Sequence, residues 1–86
     1  MPNIRRKIKM SIIVNLNNVE AVKQFVEDMR KLPCDVDIIK DHYIIDAKSI
    51  MGIFSLSLDQ PVTVKIHSDD EETIKLFEEL CTKYCA

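Results

Sequence analysis

Glycine is almost absent from this chain of 86 residues, which contains a single glycine, Gly52. Average usage would give a chain of this length about six. Glycine-rich phosphate-binding loops need several, because their backbone must approach the ligand closely and adopt positive φ angles. The sequence therefore excludes a P-loop, a dinucleotide-binding fingerprint and a GxxG nucleic-acid clamp.

Cysteines and long apolar runs are also scarce. The three cysteines, Cys34, Cys81 and Cys85, are too few and too scattered for a disulfide framework. No apolar run approaches the ~18 residues that a membrane-spanning helix needs. The first nine residues lack the apolar centre of a secretory signal. We therefore expect a cytoplasmic protein with reduced thiols.

Positive charge is concentrated at the start of the chain. Four of the 12 basic residues are Arg5, Arg6, Lys7 and Lys9, and the rest of the chain carries eight basic and 14 acidic residues. A nucleic-acid-binding surface needs basic residues that continue across the fold, so nucleic acid is not an expected partner. A chain this short has room for one core. We expect a single domain over residues 1–86, with residues 1–7 as a basic, partly flexible N-terminal extension.

Hydrophobic periodicity predicts the first half of the fold. Alternation of apolar and polar residues from Ile8 to Leu16 predicts a half-buried strand. Asn17 or Asn18 can cap the helix that follows, because an asparagine side chain accepts hydrogen bonds from the first-turn amides. This helix is predicted to end at Pro33, and its apolar positions have helical spacing: Val19, Val22, Phe25, Val26, Met29 and Leu32.

The second half is predicted in the same way. Two alternating strands around residues 36–46 are joined by Lys40-Asp41-His42, a short helix capped by Ser49 runs to Leu56, and a fourth strand follows Pro61. Ser68 or Asp69 is expected to cap the last helix, whose first turn is acidic. Its expected buried positions are Ile74, Phe77, Leu80 and Tyr84.

The resulting element order is β-α-β-β-α-β-α. Each strand has one apolar and one polar face, which is typical of an antiparallel sheet covered by helices on one side only. We therefore predict an α+β open-faced sandwich.

No group of residues in the sequence indicates metal binding or catalysis. Cys81 and Cys85 are four residues apart on one helix face, which gives only half of a zinc site. Cys34 has no histidine near it in sequence to act as a base. His42 is predicted in a turn and His67 at a strand end, where surface histidines are common. We expect no cofactor, no metal and no enzymatic activity.

Ser49 is the residue best placed for modification. It opens a short helix, where a phosphate would face free backbone amides and the positive end of the helix dipole. The simpler interpretation is an unmodified serine that caps the helix. Local sequence alone does not decide between them.

The segment Ala47-Lys48-Ser49-Ile50-Met51-Gly52-Ile53-Phe54-Ser55-Leu56 resembles the regulatory-serine segment of HPr, the histidine-containing phosphocarrier protein of the bacterial sugar phosphotransferase system. Gln24-Phe25-Val26 is similar to the helix after the active-site loop of that family. The resemblance extends from about Lys9 to Lys83. It implies an HPr-like sandwich with a four-stranded antiparallel sheet in the order 1-4-2-3, covered on one face by three helices.

The resemblance also implies that the phosphate-transfer loop has changed. In the family, a histidine at the start of the first helix takes phosphate from phosphoenolpyruvate through enzyme I, and an arginine helps to hold it. Counting back from Gln24 without gaps places Asn18 at the histidine position and Glu20 at the arginine position. An amide nitrogen is a poor nucleophile because its lone pair is delocalised, and Glu20 would repel phosphate. We therefore expect no phosphohistidine at this position.

The regulatory segment is better preserved. By resemblance, Ser49 is the residue that HPr kinase phosphorylates. The docking residues for enzyme I, the kinase or a catabolite-control regulator are Ile50, Met51, Phe54 and Leu56, although some of these side chains are expected to be core. The resemblance implies a non-enzymatic regulatory or partner-binding protein. One alternative is a structural or ligand-binding module with no phosphotransferase role. A second is a phosphocarrier with another acceptor, such as His42.

Overall fold

The computed structural model of the protein describes residues 11–85. The predicted extension 1–7 and the start of the predicted first strand lie outside this range. The described elements follow the predicted order, with a 3-10 helix at the end: β1 Ser11–Val14, α1 Val19–Met29, β2 Val36–Lys40, β3 Tyr43–Asp46, α2 Ile50–Phe54, β4 Val62–Ile66, α3 Glu71–Cys81 and the 3-10 helix Thr82–Tyr84.

The four strands form one antiparallel sheet in the order β1-β4-β2-β3. This is the order that the resemblance implies, and the predicted sheet is confirmed. In the register, Val14 lies opposite Val62, and Ile38 lies between Val64 and Ile45. Val14 of β1 and Val62 of β4 therefore lie at the same end of the sheet, and the chain leaves the sheet at this end to enter α1.

Alternation along the strands turns one face of the sheet towards the three helices and leaves the other face open. The inward side chains of β2 and β4, such as Ile38 and Val64, are fully buried against Phe25 and Phe77 of the helices. On the open face, Ile13 and Ile44 are exposed, and they end a row that crosses all four strands: Ile13, Thr63, Ile39 and Ile44. The predicted one-sided sandwich is confirmed.

The first helix is shorter than its apolar spacing predicts. Asn18 caps it as expected, with its Oδ1 accepting a hydrogen bond from the Ala21 amide at 2.8 Å. The helix ends at Met29, before Pro33, because the amides of Lys31 and Leu32 bond three residues back and tighten the chain into a turn. The predicted end at Pro33 is wrong. Val19, the first apolar residue of this spacing, is exposed.

The last helix also begins later than predicted. Its cap is Asp70, not Ser68 or Asp69, and the Asp70 carboxylate accepts hydrogen bonds from the amide and hydroxyl of Thr73 at 2.9 and 2.7 Å. The Ser68 hydroxyl instead accepts from the Asp70 amide, which shapes the loop before the helix. Ile74 and Phe77 are buried as predicted, but Cys81 takes an inward position and Leu80 is only half-buried.

A fully buried carboxylate connects the first helix to the end of the chain. Asp28 has no solvent exposure, and its Oδ2 accepts hydrogen bonds from the Tyr84 hydroxyl at 2.7 Å and Lys83 Nζ at 2.9 Å. Lys31 Nζ lies 3.3 Å from Oδ1. The Tyr84 ring meets Phe25 edge to face, with centroids 5.4 Å apart. Burial raises the pKa of Asp28, but the hydrogen bonds from Lys83, Tyr84 and Lys31 outweigh it and leave the pKa below its usual value.

We predict that Asp28→Asn destabilises the protein near neutral pH by about 1–3 kcal/mol, because the buried Tyr84 hydroxyl and the ammonium groups of Lys83 and Lys31 lose a charged acceptor. A lowered folded pKa stabilises above the unfolded value of about 3.9, and this contribution is lost as the pH falls through the folded pKa. The difference between wild type and variant should therefore shrink below about pH 4. Urea unfolding of both proteins at neutral and acid pH measures this difference in the free energy of unfolding. A difference that stays constant with pH would contradict the lowered pKa of Asp28.

Candidate functional site

Ser49 lies at the start of α2, where the chain leaves β3. Its hydroxyl oxygen accepts a hydrogen bond from the Gly52 amide at 3.2 Å, and its own amide donates to the Asp46 carbonyl at 3.0 Å. The residue is half-buried. The predicted cap is confirmed, and the Oγ atom is held at the start of the helix by one long hydrogen bond.

Gly52 allows α2 to lie close against β3. A Cβ atom at this position would stand 2.8 Å from Ile45 Cγ2 and 3.1 Å from Ser49 Oγ. Since Ile45 is β-branched and packs against the core, its Cγ2 cannot easily move away. The single glycine is therefore explained by a close approach, and its absent side chain leaves room for the Ser49 hydroxyl.

The four predicted docking residues fall into two groups. Met51 and Phe54 are 76% and 39% exposed. Ile50 and Leu56 are half-buried and pack against the core, next to the fully buried Ile53. The short helix thus uses one side to cover the sheet and presents Met51 and Phe54 to solvent.

The start of α1 carries the two residues that the resemblance places in the acceptor loop. Asn18 is exposed, and its amide oxygen is occupied by the cap bond to Ala21. Glu20 is exposed in the first turn of the helix, where the helix dipole favours a carboxylate. This helix start therefore presents an amide and a negative charge to solvent.

Neither histidine lies near Asn18. His67 follows β4 at Ile66, the opposite end of the sheet from Val14, and its Nε2 lies 2.7 Å from Asp37 Oδ2. The two side chains line a shallow depression of about 470 Å³ together with Asp35 and Asp46. His42 is exposed in the β2–β3 turn, at the same end of the sheet as Val14 but two to three strand positions from β1, or roughly 10–14 Å.

A family model described as the PTS HPr component phosphorylation site matches residues 12–83. The chain belongs to the HPr family. This match covers every strand and helix but the first residue of β1 and the last of the 3-10 helix. The family assignment made from the resemblance of the segment Ala47–Leu56 is confirmed.

Solved structures of HPr proteins resemble the chain over most of its length. HPr-C-His from Thermoanaerobacter tengcongensis is 30% identical, with a TM-score of 0.65 over 83% of this chain and 89% of that one. The phosphocarrier protein HPr from Bacillus anthracis is 29% identical, with a TM-score of 0.68 over 86% of this chain and 92% of that one. No curated protein sequence gives a significant match.

A third solved structure is Crh, the catabolite repression containing protein of Bacillus subtilis. It is 29% identical, with a TM-score of 0.59 over 91% of this chain and 88% of that one, and its crystal structure is described as a dimer with a swapped domain. The chain therefore has the phosphocarrier fold of the sugar phosphotransferase system, whose HPr proteins are carriers that interact with other proteins of that system. No helix within residues 11–85 is both long and apolar enough to cross a membrane.

Arg30 is a site residue that the sequence does not reveal. It lies at the C-terminal end of α1, and its Nη2 donates to the Lys48 carbonyl oxygen at 3.4 Å, across 18 residues of sequence. Lys48 itself directs its Nζ to the Leu32 carbonyl oxygen at 2.9 Å. Arg30 thus contacts the peptide that leads into Ser49, while the Lys48 ammonium is bound to the turn after α1. Periodicity gives no signal for such a contact, because the two segments meet only after folding.

Cys34 and Cys81 do not present reactive thiolates near this site. Burial, with smaller effects of Cys85 and Asp28, raises the pKa of Cys81 to about 12. Burial also raises the pKa of Cys34. Since the thiolate is the nucleophile and the metal-binding form, both thiols are unreactive at neutral pH. Among residues 11–85, no three His, Cys, Asp or Glu side chains converge as metal ligands.

We predict that Gly52→Ala destabilises the protein by about 1 kcal/mol, although alanine is the better helix former. The new methyl group would collide with Ile45 Cγ2, and the overpacking cost should exceed the gain in helix propensity. Met51→Ala is the matched control, because Met51 is exposed on the same helix and its loss should change stability little. Thermal unfolding compares the two variants, and a stabilised Gly52→Ala protein would contradict the packing argument.

Proposed function

We propose that this chain is a non-enzymatic, regulatory member of the HPr family that binds partner proteins through α2, is switched by phosphorylation of Ser49 and does not carry phosphohistidine. The observation that carries the proposal is the contrast between two capped helix starts. Ser49 offers a hydroxyl beside the exposed Met51 and Phe54, whereas Asn18 offers an amide beside Glu20. The proposal requires a cytoplasmic protein, because its phosphate donors are cytoplasmic metabolites.

The chemistry at Asn18 argues against phosphate transfer there. Phosphoryl carriers of this family use an imidazole nitrogen, which is a good nucleophile near neutral pH. The Asn18 amide nitrogen lacks an available lone pair, and its oxygen already accepts from Ala21. Glu20 adds a negative charge at the place where the family uses a cationic fork to hold phosphate.

The two histidines are poor replacements. His67 Nε2 is bound to Asp37 within a depression that Asp35 and Asp46 also line, and these carboxylates would repel an incoming phosphoryl group. His42 is exposed, but it lies away from α1 at the far strand pair. A partner that docks on α1 and α2 and delivers a phosphoryl group to position 18 would find no imidazole there.

The position of Ser49 suits phosphorylation by a kinase. Its oxygen would attack the γ-phosphorus of ATP, the bond from that phosphorus to the bridging oxygen would break, ADP would leave and the hydroxyl proton would be released. The hydrogen bond that Oγ accepts from Gly52 is 3.2 Å long, so little is lost when the hydroxyl is modified. The phosphate would then face the first-turn amides of α2.

Met51 and Phe54 form the proposed docking pair. Both side chains are large, apolar and exposed on one short helix next to Ser49, and buried apolar anchors of this kind contribute much of the binding energy at protein interfaces. By family resemblance, the partners are HPr kinase and a catabolite-control regulator, with enzyme I as a further candidate. The similarity to Crh, which is named for catabolite repression, supports the regulator.

We expect phosphate on Ser49 and none on histidine. Incubation with phosphoenolpyruvate and enzyme I should leave the protein unlabelled, because no suitable imidazole faces the α1 start. Incubation with ATP and HPr kinase should add one acid-stable phosphate, which mass spectrometry should locate on Ser49. The Ser49→Ala variant should remain unmodified.

The matched control for this experiment is HPr from Bacillus anthracis, treated with the same enzymes. Acid-labile phosphate on our chain, lost in His42→Ala, would show a phosphocarrier with a different acceptor. An unmodified Ser49 under conditions that modify the control HPr would instead favour a structural or ligand-binding module.

We predict that Met51→Ala and Phe54→Ala each weaken binding of the Ser49-phosphorylated protein to the catabolite-control regulator by about tenfold, which is typical of interface hot spots. Leu76→Ala is the control, because Leu76 is a similarly exposed apolar residue on α3. Calorimetry or surface plasmon resonance measures the affinities. An equal loss in all three variants would contradict docking through α2.

A further inference from the structure

The Arg30 side chain is weakly held beside the Lys48–Ser49 peptide. Its Nη2 lies 3.4 Å from the Lys48 carbonyl oxygen, and its Nη1 lies 3.5 Å from Glu27 Oε2. Both distances exceed those of a strong charge-assisted hydrogen bond. The side chain of Arg30 is 54% exposed, so it is free to rotate. A cation with one neutral partner and one distant carboxylate is available for a stronger anion.

We propose that Arg30 binds the phosphate of phosphorylated Ser49 and thereby couples the end of α1 to the start of α2. This inference rests on the proposed function, since it concerns the phosphorylated form. The guanidinium would exchange the Lys48 carbonyl oxygen and Glu27 for two phosphate oxygens. Its planar fork suits bidentate binding of phosphate.

Covalent geometry places the phosphate within reach of the guanidinium. The Lys48 carbonyl oxygen belongs to the peptide that leads directly into Ser49, so it lies roughly 3–5 Å from Ser49 Oγ. The free oxygens of a phosphate on Oγ would lie two bonds beyond that atom, and therefore nearer to the guanidinium. A guanidinium that already touches this peptide needs only a side-chain rotation to reach it.

Neighbouring charges favour a cation beside the phosphate. The Asp46 carboxylate accepts from the Lys48 amide at 2.9 Å, so it stands next to Ser49 and would repel a phosphate. The ammonium group of Lys48 is directed to the Leu32 carbonyl oxygen. Glu27 competes for Arg30. Among these groups from α1, β3 and the loop before α2, Arg30 is the cation whose present hydrogen bonds are the weakest.

Phosphoserine placed at position 49 by genetic encoding tests the inference without a kinase. The second pKa of the phosphate, measured by 31P NMR, should be about half a unit lower in the wild-type background than in Arg30→Gln, because a nearby cation favours the dianion. Arg30→Lys should restore part of the shift. Lys23→Gln removes the same charge two turns earlier on α1 and should leave the phosphate pKa close to wild type.

Thermal unfolding gives a second readout. Phosphorylation should raise the Tm of the wild-type protein more than that of Arg30→Gln, while the unmodified proteins should differ little because Arg30 is exposed. Equal phosphate pKa values in the wild-type and Arg30→Gln backgrounds would overturn the inference. That result would leave the proposed function intact, because modification of Ser49 by the kinase is measured separately.

Discussion

The close approach of α2 to β3 at Gly52 determines the geometry of the candidate site. Ile45 fills the space that a side chain at position 52 would need, so the helix lies directly on the edge of the sheet. With α2 in this position, Ser49 caps the helix and Ile53 is buried in the core. Met51 and Phe54 then necessarily face solvent, because a helix of five residues has only one side to bury. The exposed pair is thus a consequence of packing and also the surface available to a partner.

A second constraint holds the opposite side of the helical layer. Asp28 is buried without access to water. Its charge is balanced by Lys83 and Lys31, and the Tyr84 hydroxyl donates a hydrogen bond to it. A buried carboxylate is costly unless it is paired and hydrogen-bonded, so this cluster requires the chain after α3 to return to α1. The Asn15 amide donates to the Tyr84 carbonyl oxygen at 2.7 Å and attaches the same segment to the end of β1. The segment after α3 is thus attached both to α1 and to the end of β1.

Residue patterns predicted the elements well because the sheet is one-sided. Alternation in β2 and β4 and helical spacing in α1 and α3 both follow from burial of a single face. The helix ends were predicted less well, since they depend on local hydrogen bonds, such as those of Lys31 and Leu32 in the turn before Pro33. The buried role of Asp28 and the contact of Arg30 with Lys48 were not predictable from spacing. Both join segments that are distant in sequence, and a charged residue on a helix is normally read as solvent-exposed.

The two helix starts show how one backbone arrangement supports different chemistry. Asn18 and Ser49 both have extended backbone angles, and each accepts a hydrogen bond from the amide three residues later. The capping geometry is therefore the same, and it gives no preference for a hydroxyl or an amide. The difference lies in what each side chain can do afterwards, since a hydroxyl oxygen can form a phosphate ester and an amide cannot act as a phosphoryl acceptor. Their surroundings also differ, with Glu20 beside Asn18 and Arg30 beside the peptide that leads into Ser49, where Asp46 is the neighbouring carboxylate. A chain that keeps both caps, with Glu20 at the first and Arg30 next to the peptide that leads into the second, keeps the fold of a phosphocarrier, and on the proposed function its phosphate chemistry lies at Ser49.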